Sequence, residues 1–393
     1  MSLPIPNQIT SIFTGCKDHI VQNLFIVVEG VFESRTTNLN VVKDKLGNII
    51  GVGDQVQACS HYKRLIRFFQ LPDCEKKTLT DLLLSVSFFF LQSGGRTKAK
   101  YLALDGTSWE LGDTPIHLLT LSIIINGVSI PIAWQNLAKK GTSNYAERKA
   151  LFDRALESYN LEGMILLADR EYIGEKWFKY VKSRGLQFVI RLKKNSYRKY
   201  VDEQREPTCA AFKHQKWRYS AMEKLAYSKL HRTTGVSKQI AILGEKYTFV
   251  IFKNPKADAK EPLLYFLSTL VARKKIIKAY PIRWKIECCF KNLKSNGFNL
   301  EELNLKKPSK VKLMMAIVCF LYTLCVSQGL LHYKQSKKSD YKKYADGSFT
   351  LAQSVFRKGK SIVSMKFHNL KSFLRFITDL ITGKKPPKWV HVQ

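Results

Sequence analysis

Acidic residues are scarce in this chain: 31 Asp and Glu stand against 65 Lys and Arg in 393 residues, a formal charge of +34. The chain is also 45% hydrophobic and 12% aromatic, enough to bury a large core. A basic excess of that size on a folded chain points to a polyanion, and nucleic acid is the usual one. On charge alone, a ribosome-associated protein or a membrane-surface binder stays open. Paired cysteine motifs are missing as well. Among eight cysteines there is no CxxC pair, and none is spaced near a His in a zinc-finger pattern, which argues against structural zinc and for a reducing cytosol. No charged segment followed by an apolar one opens the chain, so no secretory leader is expected. The longest apolar run, Leu313 to Val326, is about 14 residues against the ~20 needed for a membrane span, so it reads as a buried helix. There is no internal repeat. The expectation is a soluble, cytosolic protein with no membrane partner.

The positive charge peaks twice. Residues 181–240 carry 15 basic and 4 acidic side chains, and residues 331–393 carry 14 and 3, ending in Lys384, Lys385 and Lys388. Trp217, Tyr219, Phe367, Phe373 and Phe376 interleave with these charges. Cations mixed with aromatics suit a folded surface that tracks a nucleic-acid backbone and stacks on bases.

Up to about residue 98, apolar positions recur at helical spacing, through Ile20 to Val27 and again from Leu82 to Leu91. Between them His61 to Phe69 forms a short amphipathic basic helix, either a DNA contact with Lys63, Arg64 and Arg67 on phosphates or a solvated face. After Gly94-Gly95 the pattern changes to strand-like runs at Tyr101 to Leu104, His117 to Ile125, Met164 to Ala168 and Gln187 to Leu192. Helical stretches at Tyr145 to Ser158 and Glu175 to Arg184 separate the later ones. Further β runs follow at Tyr247 to Phe252 and Leu263 to Leu267, then a long helix from Lys278 to Lys294. This describes an α/β fold, a mixed sheet with helices on its faces.

Two of the runs end in aspartate. Asp105 closes Leu102-Ala103-Leu104, and Asp169 closes Ile165-Leu166-Leu167-Ala168. Carboxylates at the C-terminal ends of buried strands stand where ligands bind in open α/β sheets, although each Asp alone could cap a turn or helix. The helix from 278 to 294 adds a third acid. At about 100° per residue, Tyr280, Arg283, Glu287 and Lys294 fall within roughly 60° of one another, beside the apolar stripe of Ile282, Ile286, Phe290 and Leu293. An ordinary surface pair accounts for Arg283 and Glu287, but not for the set of four. Phosphodiester cleavage needs such a set: carboxylates for metal ions, and cations and donors for phosphate oxygens.

The spacing Tyr280-x2-Arg283-x3-Glu287-x6-Lys294 resembles the Y-R-E-K signature of bacterial insertion-sequence transposases with a DDE site, of the hairpin-forming cut-and-paste branch. Asp105-Gly106-Thr107 and Ala168-Asp169-Arg170-Glu171-Tyr172 resemble the family's two Asp motifs. The resemblance spans roughly residues 60 to 330. It implies an RNase H-like catalytic domain in which Asp105, Asp169 and Glu287 bind two Mg²⁺ ions, with Mn²⁺ able to substitute. Tyr280, Arg283 and Lys294 would contact DNA phosphates. The intervals of 64 and 118 residues between the three acids leave room for a β-rich insertion before the last. It further implies a homodimer acting on terminal inverted repeats and target DNA, with hairpins at the excised ends. Hairpin formation needs a flipped base held by an aromatic. Family members use a Trp opening a strand before the signature helix; here the matching strand, Leu264 to Thr269, places Tyr265 there, a departure from the pattern.

The resulting division is a helical DNA-binding region at 1–98, an RNase H-like domain at 99–330 with a β insertion at about 205–270, and a basic helical region at 331–393. Arg170 is read as a DNA contact or a partner of Glu171, and Lys193 and Lys194 as phosphate contacts. Trp109 and Glu110 lie near the first Asp; Trp177 and Phe178 read as helix packing, and His61, His117 and His214 as scattered structural or exposed groups. A nuclease that never joins strands and an inactive transposase-derived DNA-binding protein are the competing readings.

Overall fold

The computed structural model describes residues 6–91, 99–137, 139–203, 218–228, 233–255, 260–335, 340–366 and 369–382. Trp217, His214, Phe367, Lys384, Lys385 and Lys388, singled out above, lie outside them. Five helices come first: α1 (Asn7–Thr10), α2 (Asp18–Ser34), α3 (Leu39–Ile50), α4 (Ala58–Phe69) and α5 (Asp73–Leu91). The strands β1 (Tyr101–Leu111), β2 (Thr114–Ile125) and β3 (Val128–Asn136) form a meander. After α6 (Tyr145–Ser158), β4 (Ile165–Ala168), α7 (Glu175–Ser183) and β5 (Gln187–Leu192) complete two parallel crossovers. Two short helices, α8 (Arg198–Glu203) and α9 (Tyr219–Tyr227), lead into β6 (Val236–Ile242), β7 (Glu245–Lys253) and β8 (Leu263–Ser268).

All eight strands belong to one sheet, ordered β3-β2-β1-β4-β5-β8-β7-β6. β1, β4 and β5 are parallel neighbours, and the other pairings are antiparallel. This mixed sheet with helices on its faces is RNase H-like. The β segment of the long interval does not stand apart: β8 pairs with β5, and β7 and β6 extend the same edge outward. Two strands without a strong run of their own, β3 and β6, are hairpin partners. Their turns are Asn126-Gly127 and Leu243-Gly244, with all four residues at positive φ, the backbone of the tight turns that match strand twist.

The remaining helices are α10 (Arg273–Ala279), α11 (Trp284–Leu293), α12 (Pro308–Lys334), α13 (Val355–Ser364) and α14 (Leu370–Ile381), with a small ribbon, β9 (Tyr341–Lys343) and β10 (Phe349–Leu351), between α12 and α13. The helix expected from 278 to 294 is interrupted. A 3-10 turn, Tyr280–Arg283, joins α10 to α11, and a π turn, Lys294–Phe298, ends it. Pro281 lies in the first of these, where it supplies no N–H to an α-helical ladder.

The apolar run at 313–326 lies inside α12, which is long and apolar enough to cross a membrane by length and composition, yet 94% of that window is buried within the fold. Phe320 packs edge-on against Phe25 of α2 and Phe90 of α5. One hydrophobic core thereby includes the first helices, one sheet face and the last helices. A smaller core on the opposite face holds Ala103, Ile165, Leu167, Val189 and Phe266 against Ile276 of α10 and Ile286 and Phe290 of α11.

Candidate active site

Strand alternation places the two aspartates. Ala103 of β1 and Leu167 of β4 face α11, so the residues two positions on, Asp105 and Asp169, share that face where the β1–β4 pairing ends. Asp169 follows β4, but Asp105 lies within β1, which runs on to Leu111 against β2 rather than closing there. α11 lies across the same face and delivers Glu287. All three acids converge on one cation. Arg283 Nη1 donates to Asp105 Oδ2 at 2.9 Å, Nη2 donates to Glu287 Oε1 at 2.5 Å, and Nη2 lies 3.9 Å from Asp169 Oδ2. Tyr280 Oη donates to Asp169 Oδ1 at 3.2 Å. The backbone N–H groups of Gly106 and Arg170 donate to Asp105 and Asp169 at 2.9 and 2.8 Å.

Burial dominates the electrostatics. It pushes the Asp105 carboxyl up to about 6, with Glu171 and Glu287 adding to the rise while Arg283 and the Gly106 amide oppose it. The Tyr280 phenol is pushed up to about 12, chiefly by burial. Burial works against the charge on Arg283, but Tyr280 and the three carboxylates outweigh it, and the guanidinium is held firmly protonated. Its Nε has no partner among the described residues.

The donor set is all carboxylate oxygen, the chemistry that suits Mg²⁺ or Mn²⁺, and a buried cation already stands at its centre. Among the described residues no three His, Cys, Asp or Glu side chains are grouped closely enough to hold a metal ion; the guanidinium lies between the acids. The carboxylates fit a divalent cation in kind.

The rest of the predicted site is placed more variously. Lys294 sits in the π turn, where its Nζ donates to the Ser108 carbonyl at 3.2 Å, pairs with Glu301 at 2.7 Å and lies 5.5 Å over the Trp109 ring. Arg170 pairs with Glu261. Lys193 and Lys194 are exposed just beyond β5, while on α4 Lys63 and Arg67 are exposed and Arg64 is half-buried, its Nε donating to Asn23 at 2.7 Å. Glu110 lines the groove beside Asp105, paired with Lys140 at 2.7 Å.

Tyr265 is a correction. It faces the opposite side of the sheet from Phe266 and the acids, is 5% exposed, stacks on Tyr219 at 5.8 Å and donates its hydroxyl to Glu223 at 2.7 Å. Its neighbour Phe266 takes the site face, with its ring 4.8 Å from that of Tyr280.

Three features were missed in the sequence. Arg191 of β5, two residues after the inward Val189, points to the site face and shares Glu261 with Arg170. Buried Arg148 of α6 holds the loop after Asp169, donating to the carbonyls of Glu171 at 2.9 Å and Ile173 at 3.4 Å. The strand period signals the first; nothing local signals the second. Trp284, next to Arg283, is 60% exposed. An open groove of about 610 Å³ runs from Asp105 and Asp169 past His117, Lys139 and Lys140. His117 lies over Gly106, where a Cβ would be 2.5 Å from its Nε2, so any larger residue after the first acid would have to displace the imidazole.

An RNase H-like sheet that brings Asp105 of β1 and Asp169 after β4 to a helix carrying Glu287 is the arrangement of the DDE class. Residues 96–324 match the family described as the transposase DDE domain; the match covers more than half of the chain, and the chain belongs to that family. It is a DDE transposase. No curated protein matches it. Among solved structures, the cryo-EM structure of a piggyBac transposase synaptic complex with hairpin DNA is similar with a TM-score of 0.40 and 14% identity, covering 97% of this chain and 79% of that one. That likeness is loose.

Proposed function

We propose that this transposase excises a bacterial insertion sequence at its terminal inverted repeats and joins the freed ends to target DNA through hairpin intermediates. The convergence of Asp105, Asp169 and Glu287, from three separate elements, on the single guanidinium of Arg283 carries this reading. The carboxylates would hold two Mg²⁺ ions, or Mn²⁺ in their place, which when bound supply an activated water and stabilise the leaving oxygen. The protein's own groups do the rest. Tyr280 and Arg283 orient phosphate oxygens from within the site, and Arg170, Arg191 and Lys294 flank it once DNA phosphate replaces Glu261 and Glu301 as their partner. Exposed Lys63 and Arg67 on α4, with Lys193 and Lys194, add contacts along the duplex. Trp284, exposed beside Arg283, takes over from Tyr265 as the aromatic available to a flipped base.

Cleavage of a duplex carrying the end of the DNA element that encodes the chain tests the reading. The wild type with Mg²⁺ should give nicked and hairpin products and, with target DNA, joined strands. Glu287→Gln should bind the duplex and give none of them. Nicks without joined product would mark a nuclease, and equal products from both proteins would remove Glu287 from the site.

A further inference from the structure

Between α12 and α13 the ribbon β9–β10 stands clear of the fold, and every residue from 341 to 350 is exposed. Its register, Phe349 opposite Lys343, Thr350 opposite Lys342 and Leu351 opposite Tyr341, sorts the side chains by face. Lys343 and Phe349 share one face, with the Lys343 ammonium 6.0 Å from the centre of the Phe349 ring. Lys342 and Tyr344 share the other. Tyr344 and Phe349 are 53% and 63% exposed, so each face offers a cation beside an uncovered aromatic.

The ribbon is nevertheless built and anchored. Tyr344 and Ser348 pair across the tip at 2.9 Å, and the Gly347 amide closes the turn on the Tyr344 carbonyl at 3.0 Å. Gly347 has φ +80°, which explains glycine there. The one acid at the tip, Asp346, is turned back onto the Ser348 amide at 2.8 Å. At the base His332 of α12 meets Asp340 at 3.0 Å, and Tyr333 Oη donates to the Gln353 carbonyl at 2.9 Å. Two strands alone are marginal in water. These tethers hold the ribbon to the end of a helix that is itself fixed in the core.

We infer that this ribbon is a DNA-binding element, seated in a groove of the duplex outside the active site, with Lys342 and Lys343 on phosphates and Tyr344 and Phe349 against sugars or base edges. A two-stranded ribbon fits the major groove, and its cations complement the backbone. The alternative occupant, a second copy of the chain, would bring these lysines onto a surface of the same +34 charge. The inference rests on the chain's acting on DNA, but not on the carboxylate chemistry.

The test uses the full chain and a labelled random-sequence duplex. Lys342→Ala with Lys343→Ala should weaken binding about tenfold near physiological salt and flatten the slope of log affinity against log salt by about 2, one for each phosphate no longer neutralised. Tyr344→Ala should weaken binding and leave the slope in place. A photo-crosslinking benzoylphenylalanine at 344 should attach to DNA, a readout that survives if the alanine variants disturb the ribbon. Glu287→Gln, by contrast, should keep the wild-type affinity and salt slope while failing to cleave element-end duplex. Unchanged affinity and slope without DNA crosslinks would overturn the inference, as would crosslinks to a second protein chain with loss of dimer in sedimentation. A wild type that binds through the ribbon but never cleaves would leave it standing and sink the transposition reading instead.

Discussion

At the residue scale the centre of the molecule is an arginine, not an acid. Three carboxylates lie around Arg283, whose side chain is 10% exposed. Removing a buried pair from one side costs about 3–5 kcal/mol; with Asp169 and Glu287 side chains 29% and 30% exposed, the lower end applies. Arg283→Ala should therefore lose about 3 kcal/mol of stability without divalent cations, and Mg²⁺ should restore more of its melting temperature than it adds to the wild type. An equal Mg²⁺ response in both proteins would contradict the shared place. A second buried acid has no cation paired with it among the described residues. Glu29 of α2 is 2% exposed, and burial, reinforced by Glu33, pushes its carboxyl from 4.5 to about 8. The folded chain thus holds this proton more tightly than the unfolded chain. The contribution is fully present below pH 4.5 and is lost as the pH rises through about 8. Glu29→Gln should flatten that decline, leaving the variant more stable than wild type at pH 8 by a few degrees in thermal melts and no better at pH 5.

At the scale of elements, α12 and α13 cross where Gly329 and Gly359 let their backbones touch. A Cβ on Gly359 would lie 1.7 Å from the Cys325 carbonyl oxygen, and one on Gly329 would lie 2.0 Å from that of Val355. Gly359→Ala must push the helices apart, at a cost of about 3 kcal/mol. The exposed substitution Arg357→Ala should change little in the same denaturant titration. Neither glycine is conspicuous in the sequence, because the partner backbone comes from a distant segment. The site was more legible. Asp105 and Asp169 end apolar runs, and the spacing from Tyr280 to Lys294 was readable although the helix assumed for it is broken by Pro281 and a π turn. What failed was facing. Tyr265 and Phe266 are both aromatic neighbours in an apolar strand, and only the pairing of β8 with β5 and β7 decides which of them faces the acids. β3 and β6 were passed over because their turns, not their own runs, define them. The ribbon β9–β10 was missed because two strands of three residues each are too short to show a strand period.

At the scale of the whole molecule, a charge of +34 makes DNA affinity a matter of counterions. Raising salt from 50 to 200 mM should weaken binding roughly 10³-fold or more, measured by anisotropy; a shallow dependence would mean that few of the cations meet phosphate. The unbroken core has a different consequence, for synthesis. The early and late helical segments meet: Phe25 packs on Phe320 and Phe373, Thr37 donates to the Asn299 carbonyl at 3.1 Å, and Lys307 and Ser309 hold Asp73 at 3.2 and 2.9 Å. Helices α2 to α5 therefore leave the ribosome long before the surface that covers them exists. At roughly 5–20 residues per second, the delay is on the order of ten to fifty seconds. The first quarter of a nascent transposase spends that interval without its core, exposed to proteases and holding chaperones. Its last helices, by arriving, decide when the protein first becomes able to act.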